Sequence, residues 1–477
     1  MKAPFSEYLN GLIPALRTVL DALSPDFDYV SILSTDSTGL SLRSTRHAKY
    51  VSNETMTTER GTVIRVCRDG LYSEYALSDL HTEDLENTIQ NIRDELDAQF
   101  ALLKITGTPV YKTGIVDDEP LELFHEEETE QLPEEADVQS IIDLMVGITE
   151  KGLALGEDVL ECSVWAESTH INKLFLSRNR FLRQSYVYSE GSVAVFAARG
   201  DQNRVGFRSV SGLCGPELFT KLEDELQPSY TMAQDLLNAK RIEPGEYEII
   251  TAPEVSGLIA HEAFGHGVEM DMFVKERALG KYYIGKRVGS DKVTMHEGAA
   301  CDREVASYAF DDEGVLAGDT VEIRNGILET GICDALSAVR LGVKPTGNGK
   351  RENFAHKVYT RMTNTVFDSG NDSLEEMIAS VKYGFLLEGI QSGMEDPKHW
   401  VIQCILEMGR EIRDGKLTGN VFAPIILTGY VPDLLGNISM ASSDRMLFGA
   451  GGCGKGYKEF VKVSDGGPYL KTVGRLG

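Results

Sequence analysis

In the stretch Thr251-Ala252-Pro253-Glu254-Val255-Ser256-Gly257-Leu258-Ile259-Ala260-His261-Glu262-Ala263-Phe264-Gly265-His266-Gly267, a helix runs into two histidines that bracket a glutamate. The preceding Tyr247-Glu248-Ile249-Ile250 reads as a strand. Thr251 followed by Glu254 fits a capping box, and Pro253 is tolerated in a first turn. Val255, Leu258 and Ile259 form a core-facing stripe, and Gly265 and Gly267 offer a stop. Imidazole is a favoured zinc ligand. A carboxylate beside a metal can take a proton from bound water. The residues therefore have the chemistry of a hydrolytic metal site.

The spacing needs an explanation. In the H-E-x-x-H pattern the histidines sit at i and i+4 on one helix face. Here the second is at i+5. On an ideal helix that leaves the side chains about 140° apart, with about 7.5 Å between their Cα atoms along the axis. Two nitrogens each about 2.0 Å from one zinc cannot easily be that far apart. A π-bulge inserts one residue, and Gly265 lowers the steric cost of a distortion. The spacing predicts a π-type turn or a helix break between Glu262 and Gly267.

A catalytic zinc takes about three protein ligands plus water. The strongest remote candidate is Cys453, within Gly451-Gly452-Cys453-Gly454-Lys455-Gly456. Nearer alternatives are Glu269 and Asp271. His296, His356 and Arg361 are candidates for donors to a developing oxyanion.

His261 to Glu269 (HEAFGHGVE), followed by FDDEG (310–314), PTGNGKR (345–351), RMTNT (361–365) and CGKG (453–456), resembles the TldD/PmbA family. The resemblance is carried by the C-terminal half. It implies a metalloprotease of the TldD branch, with zinc on His261, His266 and Cys453 and with Glu262 as catalytic base. The PmbA (TldE) branch usually lacks these residues and supplies partner subunits. The resemblance therefore implies a homodimer, or a heterodimer with a TldE/PmbA-like paralogue, and short or unfolded peptides as substrates. One departure is Gly456-Tyr457-Lys458-Glu459, where members often carry Gly-Gln. The alternative function is a non-catalytic, metal-stabilised peptide-binding subunit. The retained Glu262 argues against it, because a structural zinc site needs no base.

The same glycine-rich run imitates nucleotide motifs. Gly449, Gly451 and Gly454 match G-x-G-x-x-G, and Gly449, Gly454 and Lys455 nearly match a P-loop. A P-loop needs Ser or Thr after the lysine, and both motifs need a following helix. Gly456 follows, and Phe460-Val461-Lys462-Val463 reads as a strand. A net charge of −27 argues against nonspecific binding to nucleic acid or anionic membranes. Direct DNA contact is not expected, although the family has also been called a modulator of DNA gyrase. Seven cysteines without a CxxC pair fit a reducing compartment, and cytoplasm is the expected location. No apolar run is long enough for a spanning helix.

The expected fold class is α+β: an N-terminal α/β region and a C-terminal antiparallel β-rich domain carrying the metal-binding helix. Residues 1–115 read as an α/β subdomain. It opens with an amphipathic helix (Leu9, Leu12, Ile13, Leu16, Val19, Leu20, Leu23), continues with strands near Tyr29, Gly39 and Gly61, and closes on a helix from Thr82. Residues 116–137 are acidic and lack lysine and arginine, which predicts a solvated linker. Residues 138–240 read as a second α/β subdomain, and 241–477 as the β-rich metalloprotease domain. There Arg324-Asn325-Gly326 is a strong hairpin signal.

Overall fold

The computed structural model describes residues 1–105 and 111–477. It is a β-rich α+β fold built on two large sheets. The first helix, Glu7–Leu23, begins where Ser6 accepts the Leu9 amide, and it buries the face carrying Leu9, Leu12, Leu16, Val19, Leu20 and Leu23. That face packs with Ile92, Leu96 and Phe100 of the helix Leu85–Ile105 over the first sheet.

The segments expected as two separate α/β subdomains share this first, eight-stranded sheet. The strand Tyr29–Ser44 pairs antiparallel with Val159–Ser177, in register from Ser31↔Ser177 to Ser44↔Val164. Long strands buried on both faces over most of their length find each other across the acidic stretch. That stretch is not a free linker either. Its residues Leu121–Glu126 run parallel to the strand Arg180–Arg199. Its carboxylates find partners outside the segment: Asp117 lies 2.9 Å from Arg180, Glu127 3.1 Å from Arg303 and Glu134 2.7 Å from His170. Local charge repulsion is answered by partners distant in sequence.

The second sheet has eleven strands and carries the site. The strand Gly245–Thr251 lies between Tyr383–Asp396 (parallel) and Ser464–Leu476 (antiparallel). The helix Pro253–Ala260 follows at once and is buried on nearly all sides. Gly257 lets it approach the sheet, since a Cβ there would lie 2.5 Å from the Gly466 amide nitrogen. The expected capping box does not form: Ala252 occupies the N-cap. Thr251 Oγ1 is instead 2.7 Å from Ser256 Oγ, and Glu254 accepts the Gly389 amide at 3.0 Å. Both side chains are engaged in other bonds. The Asn325-Gly326 pair turns the hairpin between Thr320–Arg324 and Ile327–Leu328 with φ of 46° and 77°. No helix among the described residues is long and apolar enough to cross a membrane.

Candidate metal centre

The turn carrying the two histidines is wider than an α-helix. Pro253–Ala260 gives way to a π-helical turn, His261–Gly265, and then to a 3-10 turn, His266–Val268. The His266 amide donates to the His261 carbonyl, an i→i+5 bond. The extra residue brings the second imidazole beside the first, with ring centroids 4.9 Å apart. Gly265 lets the Met362 side chain pack against the turn, since a Cβ there would overlap the Met362 sulfur.

Cys453 reaches this turn from the short strand Gly452–Lys455, which pairs with Lys458–Lys462. No helix follows the glycine-rich run, so neither nucleotide motif has its context. Cys453 Sγ lies 3.2 Å from His261 Nε2 and 3.2 Å from His266 Nε2. The three ligand-capable atoms all fall within 4.8 Å of one another, and the three residues are buried. Tetrahedral zinc separates its nitrogen and sulfur ligands by about 3.5 Å. The donor set therefore fits one such ion. Burial lowers the His261 pKa to about 3 and pushes His266 well below its usual range, so both rings are neutral and free to coordinate. Burial raises the Cys453 thiol to about 11; a bound cation would reverse that preference.

Carboxylates stand behind both imidazoles. Glu269 lies 3.3 Å from His266 Nδ1, and Asp465 lies 3.5 Å from His261 Nδ1. Such partners orient a ligating ring and direct Nε2 to the metal. Burial works against a charged Glu269, but Lys458 and His266 hold its carboxyl well below the ordinary range. Lys458 Nζ is 2.7 Å from Glu269 and 2.8 Å from Asp271. Glu269 and Asp271, the alternative third ligands, thus support the site from behind. Lys458, from the stretch that departs from the family pattern, is a supporting residue the sequence reading missed.

Glu262 is buried and lines a cavity of about 1140 Å³ that His261, His266 and Cys453 also line. No donor among the described residues reaches its carboxylate. Burial pushes its pKa up to about 7, against the pull of Lys455. A carboxylate that changes state near neutrality suits acid–base work. Gly393 on the facing strand makes room for it: a Cβ there would lie 2.5 Å from Glu262 Oε1.

None of the three expected oxyanion donors faces this cavity. His296 is held between Asp319 and Asp368, at 2.7 Å and 3.4 Å. His356 lies beside Glu352 and Glu459. Arg361 is 1% exposed and donates to the carbonyls of Cys453 and Glu459. It fixes the cysteine strand. A different cation, Lys455, lines the cavity. Its place two residues after Cys453 was the available signal, obscured by the P-loop likeness.

Comparison with known proteins agrees with this architecture. Residues 244–472 match the model of the PmbA/TldA metallopeptidase C-terminal domain. The chain is 35% identical over 238 residues to a metalloprotease of Methanocaldococcus jannaschii, covering 50% of this chain and 52% of that one. It is 32% identical over 233 residues to a zinc metalloprotease TldD homolog of Saccharolobus solfataricus, covering 48% and 50%. These matches thus span about half the length of each relative. The fold is similar to the crystal structure of TldE from Thermococcus kodakarensis, with a TM-score of 0.76 at 17% identity over 97% of this chain and 100% of that one. Residues 244–472 thus form a C-terminal domain of the PmbA/TldD family, and the chain as a whole shares the fold of the TldE structure.

Proposed function

We propose that this chain is a zinc-dependent peptidase cleaving short or unfolded peptides, with metal on His261, His266 and Cys453 and with Glu262 as base. The observation that carries this is the convergence of two imidazole nitrogens and one thiol sulfur beside a buried carboxylate that no donor among the described residues reaches. Relatives named metalloproteases support the same reaction class. When bound, zinc supplies an acidified water and polarises the peptide carbonyl. Glu262 takes the water proton and delivers it to the leaving amine as the C–N bond breaks. Glu269 keeps the His266 ring aimed inward, and Asp465 stands behind the His261 ring.

The sheet offers a way to hold an extended substrate. The strand Tyr383–Asp396 pairs with Gly245–Thr251 only through Gly384–Leu387. Past Gly389, with φ of 68°, residues 390–395 line the cavity. They pair with Val401–Arg413 on one side, and no strand among the described residues takes the other side. An open edge binds peptide backbone with little demand on side chains. The walls of the cavity come from both sheets and would exclude folded proteins.

In keeping with the family resemblance, the chain is proposed to work as a dimer, either with a TldE/PmbA-like paralogue or with a second copy. All seven cysteines are free thiols, which supports a cytoplasmic location. The non-catalytic reading leaves Glu262 without a role. Glu262→Gln should retain zinc and folding and lose cleavage of unfolded casein by about 10³-fold or more, as expected when a base is removed from a coupled set. Full activity in that variant would end the assignment.

A further inference from the structure

Lys455 sits at the metal turn with hydrogen-bonding capacity to spare. Its side chain is 15% exposed, and it lines the same cavity as Glu262 and the three ligand-capable residues. Its ammonium donates to the His266 carbonyl at 3.3 Å and to the Glu395 carboxylate on the open strand. Glu269 Oε2 is farther, at 3.9 Å. An ammonium carries three N–H donors, so one remains for a ligand in the cavity. The other cationic side chain lining the cavity, Arg208, lies 3.8 Å from Glu254. Lys455 thus bridges the turn that carries His266 and the strand edge along which a peptide would lie. Its two bonds fix the head group in place before any substrate arrives.

We infer that Lys455 is a further catalytic residue: its free N–H donates to the carbonyl oxygen of the scissile peptide as that oxygen becomes an oxyanion. The inference rests on the peptidase reading above. In the step, water oxygen bonds to the carbonyl carbon and its proton passes to Glu262. The carbonyl π pair moves onto oxygen and is held by the Lys455 hydrogen bond. The C–N bond then breaks, and the nitrogen takes the proton from Glu262. A preorganised donor in a water-poor site is worth far more to the transition state than to the ground state. Glu395 keeps the ammonium from swinging into solvent and is a positioning residue.

The test compares wild type, Lys455→Met and Lys455→Arg as full-length zinc-loaded protein. Three quantities are read: kcat and KM on an unfolded peptide, zinc content, and affinity for a phosphonate peptide that imitates the tetrahedral intermediate. Lys455→Met should lower kcat about 10²-fold, the size of loss seen when one oxyanion donor is removed. Phosphonate affinity should fall in parallel, while KM and zinc content stay unchanged. Lys455→Arg should recover part of both losses. A kcat within about twofold of wild type would overturn the proposal. So would a loss confined to KM that disappears with C-terminally amidated peptides, which would make Lys455 a terminal-carboxylate clamp. A loss that tracks zinc content would also overturn it. If the Met variant does not fold, Lys455→Gln takes its place and must show the same parallel losses. Absence of chelator-sensitive cleavage by wild type overturns the peptidase reading itself. Chelator-sensitive cleavage that the Met variant retains at close to the wild-type kcat overturns this proposal alone.

Discussion

Cys453 Sγ lies 3.2 Å from His266 Nε2, across 187 residues of sequence. The π-helical turn makes this meeting geometrically available by rotating His266 toward His261. Removing the thiolate takes away the one soft, anionic donor of the set. Cys453→Ser should weaken zinc binding by at least about 10- to 100-fold, the range already caused by losing a supporting partner. Competition with a chromogenic chelator measures this. Unchanged occupancy would mean that the metal does not use Cys453.

Glu262 depends on a missing side chain opposite it. A Cβ at position 393 would lie 2.5 Å from Glu262 Oε1. Gly393→Ala should displace the carboxylate while the metal residues keep their places. The expected result is a fall in kcat of about 10- to 100-fold with zinc retained, since a displacement near 1 Å is costly at a reacting centre. Equal kcat in the variant would mean that Glu262 has room to spare.

His296 gives a pH signature away from the cavity. Its bond to Asp368, aided by Asp319 and opposed by burial, raises its pKa to about 9. The folded state therefore holds this proton more tightly than the unfolded chain, whose histidine releases it near 6.5. The stabilisation is complete below about pH 6.5 and is lost as pH rises toward 9. Wild type should melt about 2 °C above His296→Gln at pH 6, a modest gap suited to a partly exposed pair. The gap should close by about pH 9.5. Melting curves at several pH values check it, and a gap that widened with pH would contradict the assignment.

The sequence announced the core of the site but not its surroundings. His261, Glu262 and His266 were legible because one turn carries them, and the i+5 spacing itself implied the widened helix. Cys453 stood out only because glycines flank it. Asp465 and Lys458 had no local signal, since their roles exist only after strands distant in sequence are brought together. Arg361 was legible as a useful cation, but its burial behind the cysteine strand was not. The N-terminal half misled for the same reason. Its helices and strands could be read one by one, whereas the pairing of Tyr29–Ser44 with Val159–Ser177 depends on contacts across more than a hundred residues. The acidic segment looked free because the cations that neutralise it lie outside it.

X-ray absorption at the zinc edge of the purified full-length protein tests the metal assignment most directly. One zinc per chain is expected, with one sulfur at about 2.3 Å, two imidazole nitrogens at about 2.0 Å and one further light atom. Cys453→Ser should remove the sulfur shell. A zinc shell of nitrogen and oxygen only in the wild-type protein, or no bound zinc, would contradict it.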